Sequence, residues 1–201
     1  MKYLITGGAG FIGSELIRTI YNERSHSILN IDKLTYASNE QSLSSIDDSS
    51  RYTFKQIDIC NYLEMKEAYN NYEPDVVFHL AAESHVDKSI ENPVNFINTN
   101  IIGTYNLLEI IREHHNREAK SNNLSKFIHI STDEVFGDLK HPDDKDFPKD
   151  DPPLFKEMSR YNPSSPYSAS KASSDLLVKA WHRTFNLPTI ITNCSNNYGP
   201  Y

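Results

Sequence analysis

The chain has 201 residues, with 20 Lys or Arg against 27 Asp or Glu for a net charge of −7, and 38% of its residues are apolar. That is enough for one globular domain with its own core, and it excludes a disordered chain. The acidic balance excludes a general nucleic-acid binder, no apolar run approaches the ~20 residues of a membrane helix, and two distant cysteines make no disulfide framework. The first residues are a short β-like run followed by glycines, with no signal-peptide pattern, so a reduced cytoplasmic setting is expected.

Lys2 to Thr6 reads as a buried strand, and Phe11 to Asn22 as a helix through the spacing of Ile12, Leu16, Ile17 and Ile20. Ser27 to Asp32 is a second strand, which completes a βαβ unit. Further strands are predicted over 52–57, 75–80, 126–131 and 189–193, and helices over 62–71, 94–115 and 167–185. Strands apolar on both faces and alternating with helices predict an α/β fold, a doubly wound parallel sheet of Rossmann type. Two stretches interrupt the alternation. Thr35 to Arg51 is Ser-rich and reads as a surface excursion, and 138–166 is a long connection of the kind that is usually functional or mobile.

Four of the seven glycines, Gly7, Gly8, Gly10 and Gly13, fall within seven residues between the first strand and the first helix. In that context Gly7 permits the tight turn, Gly10 lets backbone approach a pyrophosphate, and Gly13 lets the helix pack on the strand. The helix N-terminus offers free N–H groups to the phosphates. Asp32 ends the second strand, where a carboxylate accepts bonds from the adenosine ribose and selects NAD over NADP, a preference that Lys33 beside it softens.

Tyr167 and Lys171 stand at i and i+4, so both lie on one helix face. The ammonium is expected to lower the tyrosine from its free value near 10 and to ready it for taking a proton from a hydroxyl as hydride leaves the same carbon. Thr132, Asp133 and Glu134 follow the fifth strand, at the end where open α/β sheets place their ligand crevice. Thr132 can bond a sugar hydroxyl, and the adjacent acids can divide into acid and base. His79, His85 and His129 lack ligand spacing and read as structural, so no metal site is expected. His114 and His115 suit a helix C-terminus.

The motifs TGGAGFIGS (6–14), DKLTYA (32–37), Asp58-Ile59, LAAESHVDKSI (80–90), NTN (98–100), STDEVFGDL (131–139), SPYSASKASSD (165–175) and TNCSNNYGPY (192–201) run from end to end. Together they resemble the extended short-chain dehydrogenase/reductase family, and within it the nucleotide-sugar 4,6-dehydratases. The resemblance implies NAD as cofactor and a nucleotide-sugar substrate, dTDP-glucose. It also implies a three-step reaction. Tyr167, aided by Lys171 and Thr132, takes the O4 proton as hydride leaves C4. Glu134 removes the C5 proton and Asp133 protonates the departing C6 hydroxyl. Hydride then returns to C6, with Tyr167 reprotonating at or beside C5. An epimerase or decarboxylase of the same family eliminates no water and needs no such acid pair.

Carried over residue by residue, the implied cofactor contacts are Gly7, Gly10, Phe11, Ile12, Gly13, Asp32, Lys33, Leu34, Thr35, Asp58, Ile59, Leu80, Ala81, Ala82, Thr99, Tyr167, Lys171 and Asn197. Ser84, Thr132 and Asn196 are the implied substrate contacts. The family also implies a homodimer through helices 94–115 and 167–185. Phe136, Ser38 and Lys88 depart from the family's usual Tyr, Gly and Arg, and Phe136 is expected to be tolerated. The family's chains continue into a smaller substrate lobe, so residues 1–201 are expected to be one NAD-binding domain with most of that lobe missing, retaining NAD but turning over poorly. A catalytically inactive module that dimerises with a longer chain is the alternative outside catalysis.

Overall fold

The computed structural model describes residues 1–23, 25–46, 49–117 and 124–200, and the side chains of Glu40 and of 115–117 lie outside the description. Tyr201, Asp47, Asp48 and the side chain of His115, all touched by the sequence reading, therefore fall outside it. Among the described residues no helix is long and apolar enough to cross a membrane.

Six parallel strands form one sheet in the order β3-β2-β1-β4-β5-β6: β1 (Lys2–Thr6), β2 (Ser27–Asp32), β3 (Tyr52–Gln56), β4 (Val76–His79), β5 (Lys126–Thr132) and β6 (Thr189–Cys194). This is the doubly wound order, and it reverses between β1 and β4, the switch point where such sheets open a crevice. The helices are α1 (Phe11–Asn22), α2 (Tyr62–Tyr72), α3 (Val86–Glu91), α4 (Pro93–Phe96), α5 (Thr104–Arg117) and α6 (Pro166–Phe185). Ser165 caps α6, accepting from the Ser168 N–H in a reciprocal box, and Pro166 opens its first turn.

The core has two parts. Leu4, Ile31, Val77 and Phe127 of the sheet pack with Met65 and Tyr69 of α2, Leu107, Leu108 and Ile111 of α5, and Val178 of α6. On the other side Ile5 and Ile28 pack with Ile17 and Ile20 of α1 and with Leu43, Ile46 and Tyr52. Leu43 and Ile46 correct the reading of 35–51 as a surface excursion. A 3-10 turn (Glu40–Leu43) buries Leu43, and the turn after it buries Ile46, on the α1 side of the sheet.

The predicted helix 94–115 is also corrected. It is α4 and α5 joined by a π-helical segment (Ile97–Gly103), with the separate α3 before it. Periodicity at 3.6 residues cannot register the extra residue of a wide turn. Gly103 is where Ile59 fits, since a Cβ there would fall 2.4 Å from the Ile59 Cδ1.

Candidate active site

A cleft of about 490 Å³ opens at the carboxyl ends of β1, β2, β4 and β5. Its floor is the glycine turn. Gly7 has φ +75°, and a Cβ there would fall 2.5 Å from the Ala81 backbone nitrogen. A Cβ on Gly13 would fall 2.3 Å from the Gly7 carbonyl oxygen, so α1 lies directly on the turn. Gly10 differs: its Cβ would meet only that oxygen, at 3.3 Å, with open space beyond. The start of α1 has no side-chain cap and no acidic residue in its first turn, which leaves its first N–H groups to a ligand. Phe11 and Ile12 at that end are 39% and 41% exposed on the cleft wall.

Asp32 ends β2 and fixes this floor. Its Oδ2 accepts the Ala9 N–H at 3.0 Å and its Oδ1 the Leu34 N–H at 2.9 Å. Bending the chain back to Asp32 holds Leu34 at φ +57°, a conformation rare outside glycine. Lys33 reaches across to Thr99 Oγ1 at 3.1 Å and to Glu83 at 3.2 Å, with Asp58 at 3.9 Å. The π segment is held to the strand-end loop by Asn100, which accepts the Glu83 N–H at 2.8 Å and donates to the Glu83 carbonyl at 2.9 Å and to Ser170 Oγ at 2.8 Å.

At the far end of the cleft stand Ser131, Tyr167 and Lys171. Burial, then the carboxylates of Glu134, Asp133 and Asp175, raise the Tyr167 phenol to about 12, while a bond from Thr132 works the other way. This corrects the expectation that Lys171 lowers it. The ammonium is itself buried, which brings it down to about 8, with Asp175 and Cys194 opposing. It donates to the Ile130 carbonyl at 2.7 Å. Thr132 Oγ1 accepts the Glu134 N–H at 3.2 Å and so starts the 3-10 turn Asp133–Phe136. Burial, then Asp133, raises the Glu134 carboxyl, in the direction that strengthens it as a base.

Of the residues singled out by sequence, Gly7, Gly10, Phe11, Ile12, Gly13, Asp32, Lys33, Thr35, Ile59, Leu80, Ala81, Ala82, Ser84, Thr99, Tyr167 and Lys171 line this one cleft. Thr132, Asp133, Glu134, Leu34, Asp58, Asn196 and Asn197 do not. The first three border Tyr167, Asp58 accepts the Cys60 N–H at 2.9 Å, and the two asparagines are exposed beyond β6. Ala37, Ser38, His85, Ser131, Ile31, Ile57 and Ile130 line the cleft without a role predicted there, His85 having only a structural reading and Ser38 only a departure from the family's glycine. The last four of these stand within a residue or two of a strand end or of a motif residue, the only sequence signal they carry. The glycine floor, the uncapped helix start and the carboxylate at the end of β2 together fit a dinucleotide.

A model of the family described as GDP-mannose 4,6 dehydratase matches residues 4–201. The chain belongs to that family. Among the members it resembles, the dTDP-glucose 4,6-dehydratase of Salmonella typhimurium is 59% identical over all of this chain and 56% of that protein. The dTDP-glucose 4,6-dehydratase 1 of Escherichia coli K12 is 57% identical over the same shares. The chain thus spans little more than half the length of these relatives. Among solved structures, the dTDP-glucose 4,6-dehydratase DesIV of Streptomyces venezuelae, with NAD and TYD bound, superposes at TM-score 0.86 with 37% identity. It covers all of this chain, which in turn covers 57% of DesIV. A UDP-glucose 4-epimerase of Thermotoga maritima with UDP-glucose superposes at 0.81 with 29% identity, again over all of this chain and 57% of its own. The expected kinship with the nucleotide-sugar 4,6-dehydratases and the expected Rossmann-type sheet are both borne out.

Proposed function

We propose that residues 1–201 form the NAD-binding and catalytic domain of a dTDP-glucose 4,6-dehydratase, a hydro-lyase acting in the cytoplasm. The carrying observation is that one cleft joins the glycine floor to Tyr167 and Lys171, with Thr132, Asp133 and Glu134 on its border. The acid pair favours a dehydratase over an epimerase, because water must be eliminated.

The uncapped N-terminus of α1 binds the pyrophosphate, and Asp32 faces the ribose while it holds the glycine turn. Bound there, NAD takes hydride from sugar C4 and returns it to C6, so it ends as it began. Tyr167 accepts the O4 proton, with Thr132 bonding its oxygen and Lys171 supplying positive charge. The resulting 4-ketone acidifies C5–H. Glu134 takes that proton, Asp133 protonates the C6 oxygen, and the C6–O bond breaks to release water. A proton from Tyr167 at or beside C5 completes the 4-keto-6-deoxy sugar. Ser84 and Asn196 are assigned to the substrate, and Leu34, Asp58, Ile59, Thr99 and Asn197 to the cofactor.

A homodimer is part of this reading. Val94, Ile97 and Tyr105 on one side and Ala169, Leu176 and Ala180 of α6 on the other are exposed on neighbouring helices. The test is conversion of dTDP-glucose by the natural full-length product, with mass spectrometry of the sugar nucleotide. Loss of water from the substrate is expected. An unchanged mass with a changed stereocentre would replace the dehydratase by an epimerase. The isolated 201 residues are expected to bind NAD and to turn over slowly.

A further inference from the structure

Tyr161 takes no part in the reaction above and does not line the cleft. Yet its two ends touch the two halves of the chemistry. Its ring meets Phe136 edge to face, with centroids 5.4 Å apart, and Phe136 also lies against Phe155 at 5.3 Å. Phe136 closes the same 3-10 turn that begins with Asp133 and Glu134. The Tyr161 hydroxyl donates to Asp175 Oδ2 at 2.9 Å and accepts from Lys179 Nζ at 2.9 Å.

Asp175 is fully buried one turn beyond Lys171. It also accepts from Ser131 Oγ at 2.9 Å, and its Oδ1 faces His129 Nε2 at 3.2 Å. Backbone reinforces the join. Asn162 donates its N–H to the Val135 carbonyl at 2.9 Å. Gly137, at φ +87°, lies where a Cβ would fall 2.5 Å from the Asn162 carbonyl oxygen.

We propose that Tyr161 is a positioning residue that braces the acid-pair turn against the Lys171–Asp175 face of α6 and fastens the long connection 138–165 to both. A phenylalanine would supply the ring but not the bond to Asp175, leaving a buried carboxylate one donor short. Burial and the Asp175 carboxylate push the phenol upward, so the hydroxyl keeps its proton and remains a donor at working pH.

The role of the brace in catalysis rests on the dehydratase reading; the brace itself does not. The experiment compares wild type with Tyr161→Phe in the natural full-length protein. Without substrate, limited proteolysis within 138–160 is expected to be about tenfold faster in the variant, since the free energy of local opening falls by roughly one buried hydrogen bond to a charged group. During turnover kcat is expected to fall about tenfold with KM within about twofold, and reduced nicotinamide to accumulate, because oxidation at Tyr167 proceeds while elimination lags. Phe136→Leu loosens the other end and is expected to give the same accumulation, which keeps the test open if one variant folds poorly. Equal cleavage rates overturn the brace. A uniform loss in all steps, with no accumulation, overturns the positioning role. Should wild type dehydrate nothing, the parent reading fails, and the cleavage rates alone decide for or against the brace.

Discussion

Lys171 Nζ donates a hydrogen bond to the carbonyl oxygen of Ile130 at 2.7 Å, while Tyr167, one turn before it, keeps a phenol raised to about 12. Alone in the cleft, Tyr167 is therefore protonated at neutral pH and is no base. The positive nicotinamide ring is expected to change that by favouring the phenolate. In an ultraviolet titration, NAD is expected to bring one tyrosine down from about 12. Tyr167→Phe should lack that transition and lose about 10²- to 10⁴-fold in kcat while still binding NAD. An identical titration with and without NAD would show that activation needs the substrate as well.

Gly10 and Gly13 separate binding from folding. Gly10→Ala places its methyl 3.3 Å from the Gly7 oxygen and otherwise in the open cleft, so stability is expected to hold within about 0.5 kcal/mol while NAD affinity falls about tenfold or more. Gly13→Ala forces α1 off the turn and is expected to cost about 2 kcal/mol or more of stability. Calorimetric titration and urea unfolding on both variants check the pair. Equal effects from the two would refute the division.

His129 makes the fold acid-sensitive. Burial, then Lys171, depresses its imidazole from 6.5 to about 4, so it is neutral when folded. The unfolded chain binds the extra proton between those values, and stability therefore falls as pH drops from 6.5 toward 4, by up to ~1.4 kcal/mol per unit. The depressed Asp175 extends the loss below that window, since its contribution is complete above its free value of 3.8 and is lost as pH falls from there through the folded value. Urea midpoints should decline faster for wild type than for His129→Gln over the His129 window. Parallel slopes would remove His129 from the account.

Leu176 tests the dimer. It is 57% exposed on α6, so Leu176→Glu should leave far-ultraviolet circular dichroism unchanged. If this face joins two copies, a charge there is expected to shift sedimentation from dimer to monomer at micromolar concentration. A wild type that is already monomeric would dismiss this interface.

The sheet was legible because most strands carry an apolar run between turn residues and, among the described residues, every crossover but that from β2 to β3 holds an α-helix. The cofactor end was legible for a related reason: a glycine turn acts through adjacent backbone, so its logic is local. Contacts made across elements were not legible. Asp175 stood inside a recognised motif, but its partners Ser131, His129, Tyr161 and Asn193 come from β5, the long connection and β6. Tyr167 was misjudged for the same reason. Its neighbour at i+4 was visible in the sequence, whereas the burial and carboxylates that outweigh it belong to the folded chain.

The wide turn at Ile97–Gly103 holds Thr99 toward Lys33 and Asn100 toward Glu83 and Ser170. An ordinary helix one residue shorter would serve the core as well but would rotate those two side chains off their partners. The alignment is thus encoded by a count rather than by a residue type. A single-codon deletion here, with every remaining side chain unchanged, would shift the register of the site, whereas conservative substitutions elsewhere along the same helix would leave it in place.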